Sequence, residues 1–518
     1  MNSLDNNNDF KERRFTIILI FGAVFSLIFD NIPKALQLTT LSSGYSSKLS
    51  WYFLFALLLL SIYTIYKCGF TVKREGFGFI SYITVLLIVL FASNVWGLIS
   101  YPYFTELLSG PSNQIEKLPA ALTFLNTHGI SIEQKQLTML WICVRAFKTI
   151  IFTTLYTFGF SFILYHLITK AVIAGIAFLS LYSIIEILYL AGSASATYFL
   201  TVINPMIHPI AVDHGWWPPL LWKGQLRSLF SEPSRMGNYL AFAMPFLWGK
   251  YLLSTKRPIG ILIFITFYTF MIFLTKARTA VAMYWGILFL LFLGILYLRK
   301  KNLIKKFLCI CGISLFSLAL SIGFINMSMH KGADIQKVTL SSYMEDNVGS
   351  LGSSTKRSNG ARYALIHANI VTGLEHPILG VGNVLASSYT VHNFNDRDLA
   401  DSEVHMWVTH YDEQGPLRYG LDAMNEYVSR FAQNGLLGLL VYVFPFIYVF
   451  IRLLKILRVT RDENQTKVLV TMVSLTGSAV AGGNGSLTLL YAYWIILAFS
   501  YAVVYSFDNK AIEYHETA

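Results

Sequence analysis

Apolar stretches about as long as a bilayer-spanning helix recur along almost the whole chain, at 15–32, 50–67, 77–100, 138–168, 171–192, 236–254, 258–275, 279–298, 304–326, 436–454, 467–483 and 486–506. Roughly 20 apolar residues cross a hydrocarbon core as a helix, and lipid offers no partner to an exposed backbone N–H or C=O. The pattern therefore predicts an all-α polytopic membrane protein with about 12 transmembrane helices (roughly 11–13). Its longest interruption is the polar interval 327–435. That interval divides the chain into a membrane domain over 1–326 with about nine spans, a large loop over 327–435, and C-terminal spans with a tail over 436–518.

Composition agrees with the periodicity, because 55% hydrophobic residues and a mean hydropathy of +0.54 exceed what a soluble chain of this length carries. Basic residues near helix ends stay on the cytoplasmic side. With the N-terminus inside, 21 of the 40 Lys and Arg fall in short inner segments, the C-terminus is also cytoplasmic, and the loop 327–435 faces outward. This orientation is that of a multi-pass membrane protein with one large outward-facing loop. Eight basic and twelve acidic residues make the loop net negative in a chain of net charge +12. The overall basicity is thus topological and gives no reason to expect nucleic acid. The first apolar segment follows Lys11-Glu-Arg-Arg14 without a small-residue cleavage site and reads as a retained helix. Cys68, Cys143, Cys309 and Cys311 lie in or beside spans and offer no disulfide framework.

Against the inner bias, basic residues on the outer side become informative. Arg145 and Lys148 lie in the fourth apolar stretch, Arg235 opens the sixth, and Lys276 and Arg278 sit in the tight turn between the seventh and eighth. Charges at membrane depth are costly and pair or line a polar cavity, so the set points to an anionic ligand. Arginine binds phosphate oxygens bidentately and does not lose its proton. Within the loop, Ser358-Asn359, the run to Thr372, Gly373 and Pro377 give cap, helix and stop signals in order, which places Arg362 on a short helix. Glu375-His-Pro-Ile-Leu-Gly-Val-Gly382 reads as a rigid turn. By contrast, Val404 to Asp412, with His405 and His410, has no evident periodicity and reads as loop.

Several motifs occur in a definite order: Ser231-Glu-Pro-Ser-Arg235 running into Met236-Gly-Asn-Tyr-Leu, then Thr275-Lys-Ala-Arg278-Thr279, Gly360-Ala-Arg362, Glu375 to Gly382, and Asn425-Glu-Tyr followed by Asn434-Gly-Leu-Leu-Gly438. This series, over roughly 225 to 500, resembles the superfamily of bacterial O-antigen ligases and Wzy-type polysaccharide polymerases. The resemblance implies a GT-C-like, metal-independent glycosyltransferase without cofactor. It would move a growing glycan from undecaprenyl diphosphate to a sugar hydroxyl of another lipid-linked repeat unit, beside membrane lipids, a flippase and a chain-length regulator. Arg235, Arg278, Arg362 and Glu232 are the catalytic candidates, and Lys276, Arg145, Asn425 and His376 the substrate-binding ones.

The ligase branch carries a histidine before an Asn, Ser or Gln that is followed by nine residues and Gly-x-x-Gly. Here Asn425, Gly435 and Gly438 keep the spacing, but Met424 stands at the histidine position and cannot accept a proton. That favours polymerase over ligase and leaves Glu232, His405 and His410 as substitute bases. The acidic run Asp396 to Glu403 lacks the loop glycine of a calcium hand. The loop Asn31 to Lys48 has no acid beyond the bordering Asp30, unlike the metal-dependent lipid-linked glycosyltransferases, which usually carry acidic ligands in that loop, so no metal is expected. Trp216, Trp217 and Trp222 read as an interfacial girdle. A lipid-linked oligosaccharide flippase is the rival class, but the chain has no visible internal repeat of the kind that transporters use.

Overall fold

The computed structural model describes residues 2–38, 44–68, 74–111, 114–115, 118–158, 165–209, 224–256, 258–329, 337–352, 359–421, 424–487 and 490–516. Among these, every regular element is helical. The first group is α1 Asn2–Phe25, α2 Leu49–Cys68, α3 Arg74–Ile99, α4 Phe104–Ser109, α5 Leu118–Thr127, α6 Gln134–Phe158, α7 Tyr165–Leu190 and α8 Ala194–Ile207. The central group is α9 Pro233–Leu253, α10 Ile259–Leu274, α11 Arg278–Leu298 and α12 Lys301–Phe324. The loop then folds as α13 Leu340–Asn347, α14 Asn359–Glu375, α15 Ala386–His392, α16 Asp396–Leu399 and α17 Ser402–Gln414, before α18 Glu426–Val459, α19 Asp462–Ala481 and α20 Tyr491–Glu516.

Each of the twelve apolar stretches falls on a helix, although 138–168 is divided between α6 and α7. Five described helices are long and apolar enough to cross a membrane, and four shorter apolar ones accompany them. Large apolar side chains such as Phe289, Leu293, Leu308, Leu315, Leu440 and Phe444 point outward, as they do where the surrounding solvent is lipid. The molecule is consistent with a polytopic membrane protein.

The helices α9 and α19 form its centre. Small residues let backbones approach: a side chain at Gly237 would strike the backbone of Ala280 on α11, and one at Gly477 would strike Ile287. Ser474 Oγ of α19 donates to the Phe242 carbonyl of α9 at 2.8 Å. Large buried rings, including Trp248, Tyr284 and Trp494, fill the surrounding core.

The loop has its own small core, in which Ala361, Ala364, Leu365 and Ala368 of α14 meet Val404 and Trp407 of α17. The segment read as irregular around His405 and His410 is therefore a helix. Asp401 caps it by accepting from Glu403 N at 2.9 Å and Val404 N at 3.4 Å. Its buried face, Val404, Trp407 and Tyr411, keeps helical spacing that the apolar Met406 and Val408 between them obscure. The acidic run has a local purpose of the same kind, since Asn395 and Asp398 form a reciprocal capping box on α16.

Inside α18 the helix breaks at Gly435, with φ of 65° and ψ of −170°. The turn 375–382 docks on this break. Leu436 N donates to the Pro377 carbonyl at 2.7 Å, Val381 N to Ala432 at 3.1 Å and Gly382 N to Gln433 at 2.8 Å. A side chain at Gly435 would strike the backbone of Ile378, so only glycine supplies both the left-handed conformation and the clearance. This contact holds the start of α18 against α14.

Candidate active site

A cavity of about 240 Å³ opens where six parts of the chain meet. The segment just after α1 contributes Asp30, the residue before α2 Lys48, the entrance of α9 Glu232 and Arg235, and α14 Arg362. Met424 and the turn bearing Asn484 and Ser486 complete the wall. Three cations and two carboxylates thus line one space.

The entrance of α9 explains the arrangement. Pro233 occupies the first turn, where its missing N–H costs nothing. Glu232 stands at the N-cap without capping the helix. One of its oxygens accepts from Ser234 Oγ at 3.1 Å, and among the described residues no ion pair occupies its carboxylate. Arg235 follows one turn later, its side chain 40% exposed, with Nε 3.5 Å from Asp30 Oδ2. Asp30 in turn accepts from Ser231 N at 2.9 Å and Ser231 Oγ at 3.0 Å. It fastens the end of α1 to the entrance of α9 and sets the direction of the guanidinium.

Arg362 projects from the first turn of α14, and its Nη1 donates to Asn484 Oδ1. Its Nε is buried and has no acceptor among the described residues. Arg278 does not line the cavity, but its Nη1 lies 3.4 Å from the Ser350 carbonyl, and Asn359 Nδ2 donates to that same carbonyl at 2.9 Å. Arg278 is therefore joined to the beginning of the helix that carries Arg362.

The remaining candidates lie elsewhere. Arg145 donates to the Leu417 carbonyl at 2.6 Å and braces α6 against the loop. Lys276 occupies the turn between α10 and α11 with φ of 47°, and burial lowers its amine from the usual lysine value. His376 packs edge-on against Tyr389, ring centroids 5.2 Å apart. Asn425 is the N-cap of α18, accepting from Tyr427 N at 3.0 Å and Val428 N at 3.2 Å. The asparagine of the motif thus starts a helix, and the residue before it, Met424, faces the cavity. Trp216, Trp217 and Trp222 lie outside the described residues.

Asp30, Lys48, Asn484 and Ser486 were not among the sequence candidates. Asp30 and Lys48 stand at the two ends of the loop 31–48, and Asn484 lies in a Gly-Gly-Asn-Gly-Ser interruption between two apolar stretches. Both signals were present, but neither carries a motif.

Fold and site together define an all-helical membrane protein with a cation-lined polar cavity. Residues 261–443 match the O-antigen ligase family model (Wzy_C), which is consistent with the O-antigen ligase and polymerase superfamily that the ordered motifs resemble. The match includes Arg278, Arg362 and Met424, while Arg235 and Glu232 precede it. No curated protein matches the chain significantly.

Proposed function

We propose that this chain is a polysaccharide polymerase of the inner membrane, with about 12 spans in a GT-C-like arrangement and the cavity on the extracytoplasmic side. Its donor is a glycan on undecaprenyl diphosphate, and its acceptor is a sugar hydroxyl of a second lipid-linked repeat unit. The observation that carries this reading is the meeting of Arg235, Arg362, Glu232 and Met424 in one cavity.

In the transfer, the bond between the anomeric carbon and the diphosphate oxygen breaks, and a bond to the acceptor oxygen forms. The departing diphosphate takes the electron pair, so its charge grows in the transition state. Fixed donors aimed at such charge are commonly the largest catalytic contribution, with one donor worth on the order of 3 kcal/mol. Arg235 and the unpartnered Nε of Arg362 suit that task, and Arg278 supports the same wall through Ser350. Glu232, a carboxylate without an ion-pair partner among the described residues, takes the acceptor proton that a histidine takes in the ligase branch. These assignments need no metal and no cofactor from the protein.

The family description, O-antigen ligase, favours a second reading in which the acceptor is lipid A-core. Offering both acceptors separately in proteoliposomes distinguishes them. Chain growth on lipid-linked repeat units alone supports the polymerase, and a strict need for lipid A-core would overturn it.

A further inference from the structure

Lys48 has no place in the scheme above, and its surroundings are unusual. The residue is 8% exposed, yet it lines the cavity together with Glu232, Arg235 and Arg362. Its ammonium has three N–H donors. One reaches the backbone carbonyl of Asp30 at 2.7 Å, and among the described residues no carboxylate lies within ion-pair distance. A buried lysine is tolerated when it is paired, and here the pairing offered by the protein is one neutral oxygen. The Asp30 carboxylate itself is turned to Ser231 and Arg235 and lies beyond ion-pair distance of the ammonium.

The site therefore has an unfinished cation beside two others. We propose that Lys48 is a third phosphate-binding cation of this cavity, facing the same diphosphate as Arg235 and Arg362. The inference depends on the diphosphate reading and adds to it a residue from the N-terminal half, outside the matched segment 261–443. Lys48 sits at the junction between the loop 31–48 and α2, so a bound phosphate would also tie that loop to α9 and α14.

One consequence separates lysine from arginine. Burial, and next the neighbouring Arg235, lower the Lys48 amine to about 8, while Asp30 and Glu232 oppose the shift. The cation is present below that value and lost above it. Binding of an anion favours the charged form, so affinity should fall as pH rises through the free-state value. Arginine at the same position would stay charged throughout.

The test uses the full chain in nanodiscs and a short-chain prenyl diphosphate sugar, a diphosphate diester whose own charge is constant over the range. Its dissociation constant is measured from about pH 7 to about pH 9, over which the native protein should weaken by about tenfold or somewhat less. Lys48→Arg should keep the affinity found at the lower pH and flatten the profile. Lys48→Met should bind weakly and without pH dependence. A Lys48→Met protein that binds as tightly as native, or a Lys48→Arg protein that keeps the native slope, would overturn the proposal. Arg235→Ala and Arg362→Ala form the control arm. If these also bind as native does, the diphosphate reading itself fails; if they alone lose affinity, only the role of Lys48 does.

Discussion

The arginines of this molecule are held in two opposite ways. Arg430, on α18, is 5% exposed, and its Nε meets Glu426 Oε1 at 2.7 Å. Its guanidinium also lies 4.9 Å from the centre of the Tyr442 ring. The second Glu426 oxygen accepts from Leu487 N at 3.1 Å. Arg430 is thus neutralised within the protein and braces α18 against the turn that carries Asn484 and Ser486. Arg235 and Arg362 face the cavity instead, one half-exposed with its carboxylate 3.5 Å away, the other with an unpartnered buried N–H. A cation whose charge is already matched holds the fold, whereas one that is partly matched can still take up an anion.

Substitutions should separate the two groups. Arg430→Ala leaves Glu426 buried and uncompensated, and should lower stability by about 3–5 kcal/mol, read as thermal unfolding in detergent. An unchanged melting temperature would remove the distinction. Arg362→Ala should instead melt like the native protein and lose turnover by on the order of a hundredfold or more. Glu232→Gln, which keeps the shape but not the basicity, should lower turnover by roughly a hundredfold while donor binding persists. A loss of binding in its place would make Glu232 a structural partner of the cations. Asp30→Asn should have the smallest effect. The amide can still accept from Ser231, but Arg235 loses its orienting charge, and the KM for donor should rise by less than about tenfold.

Much of this division could be anticipated from the chain. The apolar stretches mark the helices because a lipid-facing helix must be apolar along its whole length. The helix bearing Arg362 follows its cap and stop residues closely, and the glycines at 380, 382 and 435 mark where two backbones meet. Sequence spacing could not tell which outer cations share a cavity. Arg235, Arg278, Arg145 and Lys276 have similar local contexts, and only packing sets Arg235 beside Arg362 while turning Arg145 towards Leu417. Asp30 was obscure for a related reason, since its partners lie far away in the chain, at Ser231 and Arg235, and Lys48 because it meets Asp30 only through a backbone carbonyl. The helix of His405 and His410 is hard to read because the apolar Met406 and Val408 break the period of its buried residues Val404, Trp407 and Tyr411.

The central claim is that the cavity breaks a glycosyl diphosphate bond. The most direct measurement follows undecaprenyl diphosphate and polymer together in proteoliposomes that contain only this protein and lipid-linked repeat units. The account predicts one undecaprenyl diphosphate released for each new glycosidic linkage, and loss of both signals in Arg362→Ala. Movement of the lipid-linked unit across the bilayer with no diphosphate released would contradict it.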